Sequence, residues 1–292
     1  MVNTRKKGLI YGAFIADALA LGPHWIYDTT IIEQQFKPLR DFQKPYTPYH
    51  PNKEAGDFTH YGDQAFLLLE HISSVQAFDV KRFKEEWLQL MNTGKLYLDH
   101  ATKDSIQKFS EVDCLIGSDS LELGGLVRCA PLFAQTHTSL EDILCQTHLT
   151  HNQPLLDEIA EFTFVLLNDL LKGVKPSESI HHLSQVSSQT LQALILKAKS
   201  LLDVAPIEAI KEIGQSCSSE YSFPAALYLI LKYEDHFEEA LIQNAYAGGD
   251  SAARGMYVGM VLGAYHGFDA LPIRWINGLR YKERIDTLIH RF

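Results

Sequence analysis

Apolar residues recur at helical spacing along nearly the whole chain. Leu191, Leu194, Ile195, Ala198, Leu201 and Leu202 follow the i, i+3, i+4, i+7 rhythm of an amphipathic helix. Ala65, Leu68, Leu69, Ile72 and Val75 repeat it. So do Val80, Phe83, Trp87, Leu90 and Met91, where Asp79 is placed to cap the start and Gly94 to end the run. Further helices are expected at 156–172, 207–216, 223–246 and 251–266. Sustained strand alternation is absent, and the single Asn277-Gly278 pair lacks the alternating flanks of a hairpin. The pattern predicts an all-α fold, an orthogonal multi-helix bundle. With no repeat, low-complexity tract or clear linker, it predicts one domain over 1–292.

Two stretches interrupt the rhythm. The longer, roughly 36–63, holds Pro38, Pro45, Pro48 and Pro51 among aromatics and histidines, a density that forbids a helix. A loop of that length is either functional or a surface excursion joining two helices, and the residues leave both open. The shorter break, 113–125, contains Gly117, Gly124 and Gly125.

Composition narrows the classes. The 292 residues carry 26 Lys+Arg against 36 Asp+Glu, a formal net charge of −10, with 46% hydrophobic residues. That apolar content excludes intrinsic disorder. No uncharged apolar run of about 18 residues is present to span a membrane. No basic stripe marks a nucleic-acid surface, so neither partner is expected. Cys114, Cys129, Cys145 and Cys217 are dispersed and lack CxxC spacing, which points to a reduced, cytoplasmic protein. Arg5-Lys6-Lys7 followed by the apolar stretch Gly8 to Gly22 imitates a secretory signal. Asp17 within that stretch favours a helix of the mature protein.

Three polar clusters carry candidate chemistry. Ile10, Phe14, Asp17 and Leu21 share one helix face, and an ionised carboxylate there needs a partner such as a neighbouring loop. That helix runs into Gly22-Pro23-His24-Trp25-Ile26-Tyr27-Asp28, a histidine, a tyrosine and an aspartate beside an aromatic wall. His60-Tyr61-Gly62-Asp63-Gln64 opens the helix expected near Ala65, where Asp63 reads most simply as an N-cap. Ala247-Gly248-Gly249-Asp250-Ser251 introduces a helix with Gly255, Gly259, Gly263 and Gly267 on one stripe. Each interior glycine costs about 1 kcal/mol against alanine, so the stripe predicts close helix packing at the centre of the bundle. Thr150-His151-Asn152-Gln153-Pro154 reads as the capping sequence of the next helix.

In this order the segments resemble the ADP-ribosylglycohydrolase family, which includes the dinitrogenase reductase-activating glycohydrolases and the lens J-crystallins. Gly12 to Leu19 is similar to the family's Gly-x-x-x-Gly-Asp-Ala-Leu helix, with Ala16 for the second glycine. His60 to Gln64 falls at its Thr-Asp-Asp-Thr motif. Gly124 to Leu132, with Arg128, resembles Gly-x-x-Met-Arg-x-x-Pro-Leu, and Thr150-His151 with Pro154 resembles Thr-His-x-x-Pro. Gly248 to Gly267 resembles the Gly-Gly-Asp-Thr-Asp-Thr helix, and Leu271-Pro272 with Trp275 the close of the domain.

The resemblance implies an all-α bundle with its cleft at helix ends. It implies hydrolysis at the anomeric carbon of a ribosyl or ADP-ribosyl group, aided in typical members by two Mg²⁺ ions. Here the ligand positions read Tyr61-Gly62-Asp63-Gln64 and Asp250-Ser251-Ala252-Ala253, and His24 falls near a lost glutamate. Only Asp63 and Asp250 remain as metal candidates, enough at most for one weakly held Mg²⁺. No cofactor is therefore expected. The expected roles are Asp63 or Asp250 as general base and His24 or His60 as proton donor. Arg254 would hold a phosphate or a sugar hydroxyl. Asp17, Tyr27, Asp28, Tyr61, Gly248, Gly249, Ser251 and His151 would line the substrate. The alternatives are a non-catalytic ADP-ribose or nucleotide binder and a conventional Mg²⁺-dependent hydrolase.

Overall fold

In the computed structural model, which describes residues 3–75 and 77–291, the apolar rhythm resolves into helices. They run as α1 (Thr4–Ala20), α2 (Thr29–Phe36), α3 (His60–Val75), α4 (Val80–Met91) and α5 (His100–Glu111). Two short helices follow, α6 (Gly124–Val127) and α7 (Ala130–Ala134), then α8 (Leu140–His148) and α9 (Pro154–Leu171). The second half adds α10 (Pro176–Val186), α11 (Gln189–Ser200), α12 (Pro206–Ile213), α13 (Ser219–Lys232) and α14 (Phe237–Tyr246). The chain closes with α15 (Ser251–His266), α16 (Ile273–Gly278) and α17 (Lys282–Ile289). Among the described residues no strand forms; two isolated bridges, Asp119 to His151 and Glu122 to Ser218, tie loops together. None of the described helices is long and apolar enough to cross a membrane.

Two helices organise the rest. Asn3 starts α1 by accepting the Arg5 N–H at 2.8 Å, and from Gly8 to Ala20 every residue of the helix is buried. The stretch that imitates a secretory signal is thus a core helix. Its partner is α15, buried from Ser251 to Ala264. The two backbones touch: a Cβ on Gly12 would lie 2.1 Å from the Gly259 carbonyl oxygen, and one on Gly263 2.2 Å from that of Gly8. The glycine stripe of α15 therefore meets a second stripe, Gly8, Gly12 and Ala16, on α1. Close approach of two helices buried over most of their length offsets the propensity cost of the glycines.

Three expectations change. The helix expected over 223–246 is two helices, α13 and α14, separated by a turn in which the His236 N–H bonds the Tyr233 carbonyl at 2.9 Å. His266 Nε2 then meets the Glu234 carbonyl at 2.8 Å and satisfies that turn, so no glycine or proline was needed to break the pattern. α3 begins at His60 rather than near Ala65, because Thr59 Oγ1 accepts the Tyr61 N–H at 3.2 Å. Asp63 consequently lies inside the first turn and is not the N-cap. The proline-rich segment is no mere excursion: Leu39, Phe42, His50, Asp57, Phe58 and Thr59 within it are buried.

Candidate functional site

The Gly248-Gly249 turn fixes where the site forms. Both glycines adopt left-handed backbone, φ +70° and +67°, and a Cβ on Gly249 would lie 2.1 Å from the Gln215 carbonyl oxygen. The turn is stitched to the segment leaving α1 by Trp25 N–H to Gly249 O (2.9 Å) and Gly249 N–H to Ile26 O (2.8 Å). The end of α1 and the N-termini of α3 and α15 therefore converge. Trp25 sits at φ +62°, a strained setting for a bulky side chain and one that clusters at functional sites. Its ring stacks on His24 at 4.2 Å.

Asp250 is the centre of the arrangement. It is completely buried, caps α15 through the Ala253 N–H, and accepts the Tyr61 hydroxyl at 3.1 Å. His24 Nδ1 lies 3.7 Å from its other oxygen. Burial, with the Glu122 charge nearby, raises the Asp250 carboxyl to about 6. Burial and the neighbouring His60 and His50 push His24 well below its ordinary value, so it is neutral near pH 7. His60 stands beyond, 6.1 Å from His24 ring to ring, with its Nε2 3.3 Å from Asp99 Oδ2. Burial alone would raise Asp99, but the facing His60 ring overrides it and holds that carboxyl well below the usual range.

The other residues singled out in the sequence divide. Tyr27 is half-exposed, with burial and the charges of Cys217 and Asp250 raising its hydroxyl. Ser251 Oγ is buried beside Asp250. His151 bonds Thr150 Oγ1 through Nδ1 (2.8 Å) and places Nε2 3.9 Å from Glu122. Asp63 is held on both oxygens by Lys53 Nζ, at 2.6 and 2.7 Å. Asp17 is committed to the loop, accepting Thr59 N–H (2.7 Å) and Thr59 Oγ1–H (2.5 Å). Asp28 caps α2 through Thr30 and is exposed. Arg254, expected to meet a phosphate, is wholly buried and donates to Asn244 Oδ1, Asn244 O and Gly248 O. Its guanidinium clamps the glycine turn and has no solvent-facing edge for a ligand.

Several members were not legible in advance: Asp99, Glu122, His50 and Lys53. Asp99 looks in sequence like any N-cap, and it does cap α5 through Thr102 N–H at 2.6 Å. Its second oxygen faces His60. Among the described residues, twelve buried side-chain nitrogen or oxygen atoms lack a hydrogen-bond partner. Eight of them belong to His24, His50, His60, Asp99, Glu122, His151 and Ser251, around one locus. Buried polar groups are rarely left unpaired, so this concentration makes the locus the candidate site.

One consequence is testable by pH. Burial, with His60 and Lys53 beside it, lowers His50 to about 3. Its stabilising contribution is complete above the unfolded value of 6.5 and is lost as pH falls towards 3. Asp17, raised to about 7 chiefly by burial, and Asp250, at about 6, have the opposite sign and lose stability as pH rises through those values. The wild-type curve should therefore be shallow in mild acid. Between about pH 7.5 and 4.5, His50→Gln should lose less Tm than the wild type; parallel losses would show that His50 is charged in the fold.

The family description ADP-ribosylglycohydrolase matches residues 2–292. The chain belongs to the ADP-ribosylglycohydrolase family. Among individual relatives, Crystallin J1A of Tripedalia cystophora is 23% identical over 94% of this chain and 91% of its own length. ADP-ribosylhydrolase ARH3 of Homo sapiens is 22% identical over 99% and 93%. A solved structure, an ADP-ribosylglycohydrolase-related protein complex, superposes with a TM-score of 0.73 at 21% identity, covering 99% of this chain and 96% of that one. It shares the all-α fold.

Proposed function

We propose that this protein hydrolyses the glycosidic bond at the anomeric carbon of a ribosyl or ADP-ribosyl substrate, without a dinuclear magnesium centre. The observation that carries the reading is the buried Asp250 carboxylate between the Tyr61 hydroxyl and the partnerless imidazole of His24. A base near neutral pKa in a water-poor site suits activation of a water molecule. Asp250 takes the water proton as the oxygen bonds to the anomeric carbon. The bond to the leaving atom breaks with its electron pair, and His60, backed by ionised Asp99, delivers a proton there. His24 is neutral, so its part is to orient a sugar hydroxyl or the water. Asp63 is a structural anion for Lys53 in this scheme.

The donor set does not fit two hard dications. Both Asp63 oxygens face an ammonium group, and a Cβ at Gly62 would lie 2.3 Å from Asp17 Oδ2, leaving no room for a carboxylate there. Among the described residues no three His, Cys, Asp or Glu side chains are grouped to hold a metal. Hydrolysis of ADP-ribosyl-arginine, O-acetyl-ADP-ribose and simple N-ribosides should therefore persist in EDTA, changing less than about twofold against Mg²⁺. A rate abolished by chelation would restore the conventional magnesium mechanism. No turnover of any of these, alongside measurable ADP-ribose binding, would make the protein a binding module.

A further inference from the structure

A second compartment adjoins the site. It is a cavity of about 490 Å³ walled by Tyr49, Tyr97 and Tyr281, with His50, Lys53, Lys95 and Arg280 on its lining. Neither Asp250, Tyr27, Ser251 nor Glu122 borders it. It communicates with the catalytic cluster through His50, whose ring stacks on His60 at 5.5 Å, and Tyr97, which meets His60 at 5.3 Å. A substrate cleaved between His60 and Asp250 has two parts, and this cavity lies on the His60 side, where the departing part is protonated.

Its chemistry is specific. Tyr49 and Tyr97 meet at 5.6 Å, both braced edge-on by Trp25 at 4.8 and 5.2 Å, and Tyr281 is set from the other side by stacking on Phe58 at 5.2 Å. Fixed rings of this kind favour a planar ligand, and the volume suits a single small ring system with substituents. Lys53 is balanced by Asp63, and Arg280 by Asp57 at 3.1 Å. The Lys95 ammonium has no ion-pair partner among the described residues, so one positive charge is uncompensated. In a chain of net −10 this local excess runs against the overall sign.

Resting on the hydrolase reading above, we propose that this cavity seats the leaving group and selects a planar one bearing a negative charge, such as a carboxylate, over a cationic guanidinium. The test uses three fragments titrated by calorimetry into the wild-type protein: nicotinate, its neutral isostere nicotinamide, and arginine. Nicotinate should bind about two- to fivefold more tightly than nicotinamide, the worth of one exposed ion pair, and arginine should not compete. Lys95→Glu, an exposed loop change, should abolish the preference for nicotinate, and Tyr97→Ala should weaken both ring compounds. Equal binding of nicotinate and nicotinamide, no nicotinate binding at millimolar concentration, or an unaltered Lys95→Glu variant would overturn the assignment. ADP-ribose titrated in parallel separates the two ideas. Retained ADP-ribose binding with failed nicotinate selectivity rejects only the leaving-group seat; nicotinate selectivity without turnover of any ribosyl substrate rejects the hydrolase and with it the leaving-group role, leaving an anion-selective ring site.

Discussion

Asp250→Asn should cost about 10²–10⁴-fold in the rate of ribosyl hydrolysis, the range expected on removing a general base. The substitution preserves shape, and an asparagine side-chain oxygen still accepts the Ala253 N–H that starts α15. At the Oδ2 position the amide nitrogen would donate to the Tyr61 hydroxyl oxygen, reversing that hydrogen bond. Folding should therefore survive, and the Tm should move little. The same change tests the proton inventory. With the carboxyl that ionises at about 6 removed, the acidic limb of the pH–rate profile that it generates should vanish from whatever activity remains. Full activity in Asp250→Asn, with the fold intact, would remove the base from the scheme and leave Glu122, whose charge acts on Asp250, as an alternative carboxylate.

The second large effect is structural. Gly12→Ala places a methyl group 2.1 Å from the Gly259 carbonyl oxygen, where neither partner is a flexible side chain that can yield. Two backbones must separate, and overpacking of this kind costs roughly 1–3 kcal/mol, towards or beyond the upper end here. A drop of at least about 5 °C in Tm is expected, with activity falling in step because α1 and α15 both deliver residues to the site. A melting temperature within about 1 °C of wild type would show that the helices can slide apart cheaply, and the hub would lose its central place in the stability of the bundle.

How much was legible follows from the physics of each feature. The central helix pair was readable because its glycines violate local propensity at a fixed period, a signal that only tertiary contact explains. The buried Asp17 was readable as a carboxylate needing a loop, and Thr59 supplies it. Asp250 was readable because Gly-Gly before an acidic helix start is rare. Lys53 was not, since a lone lysine in a proline-rich loop looks like any solvated cation until the loop folds back onto Asp63. Asp99 and Glu122 hid for a similar reason, one behind a capping role and the other in a glycine-broken loop. Arg254 misled in the opposite direction. Its place at the helix start suggested a ligand, but the left-handed turn exposes carbonyls that need a buried donor first.

The pairing of α1 with α15 joins segments far apart in sequence, with about 250 residues between the touching glycines. On the ribosome, α1 emerges before α15 and remains without its partner until the helices between them have been made. A helix that is buried on every side from Gly8 to Ala20 in the fold must wait through synthesis with its surface uncovered. Production of this protein in cells should accordingly depend on chaperones that shield the nascent α1, and truncation anywhere before α15 should yield aggregate rather than a smaller folded unit.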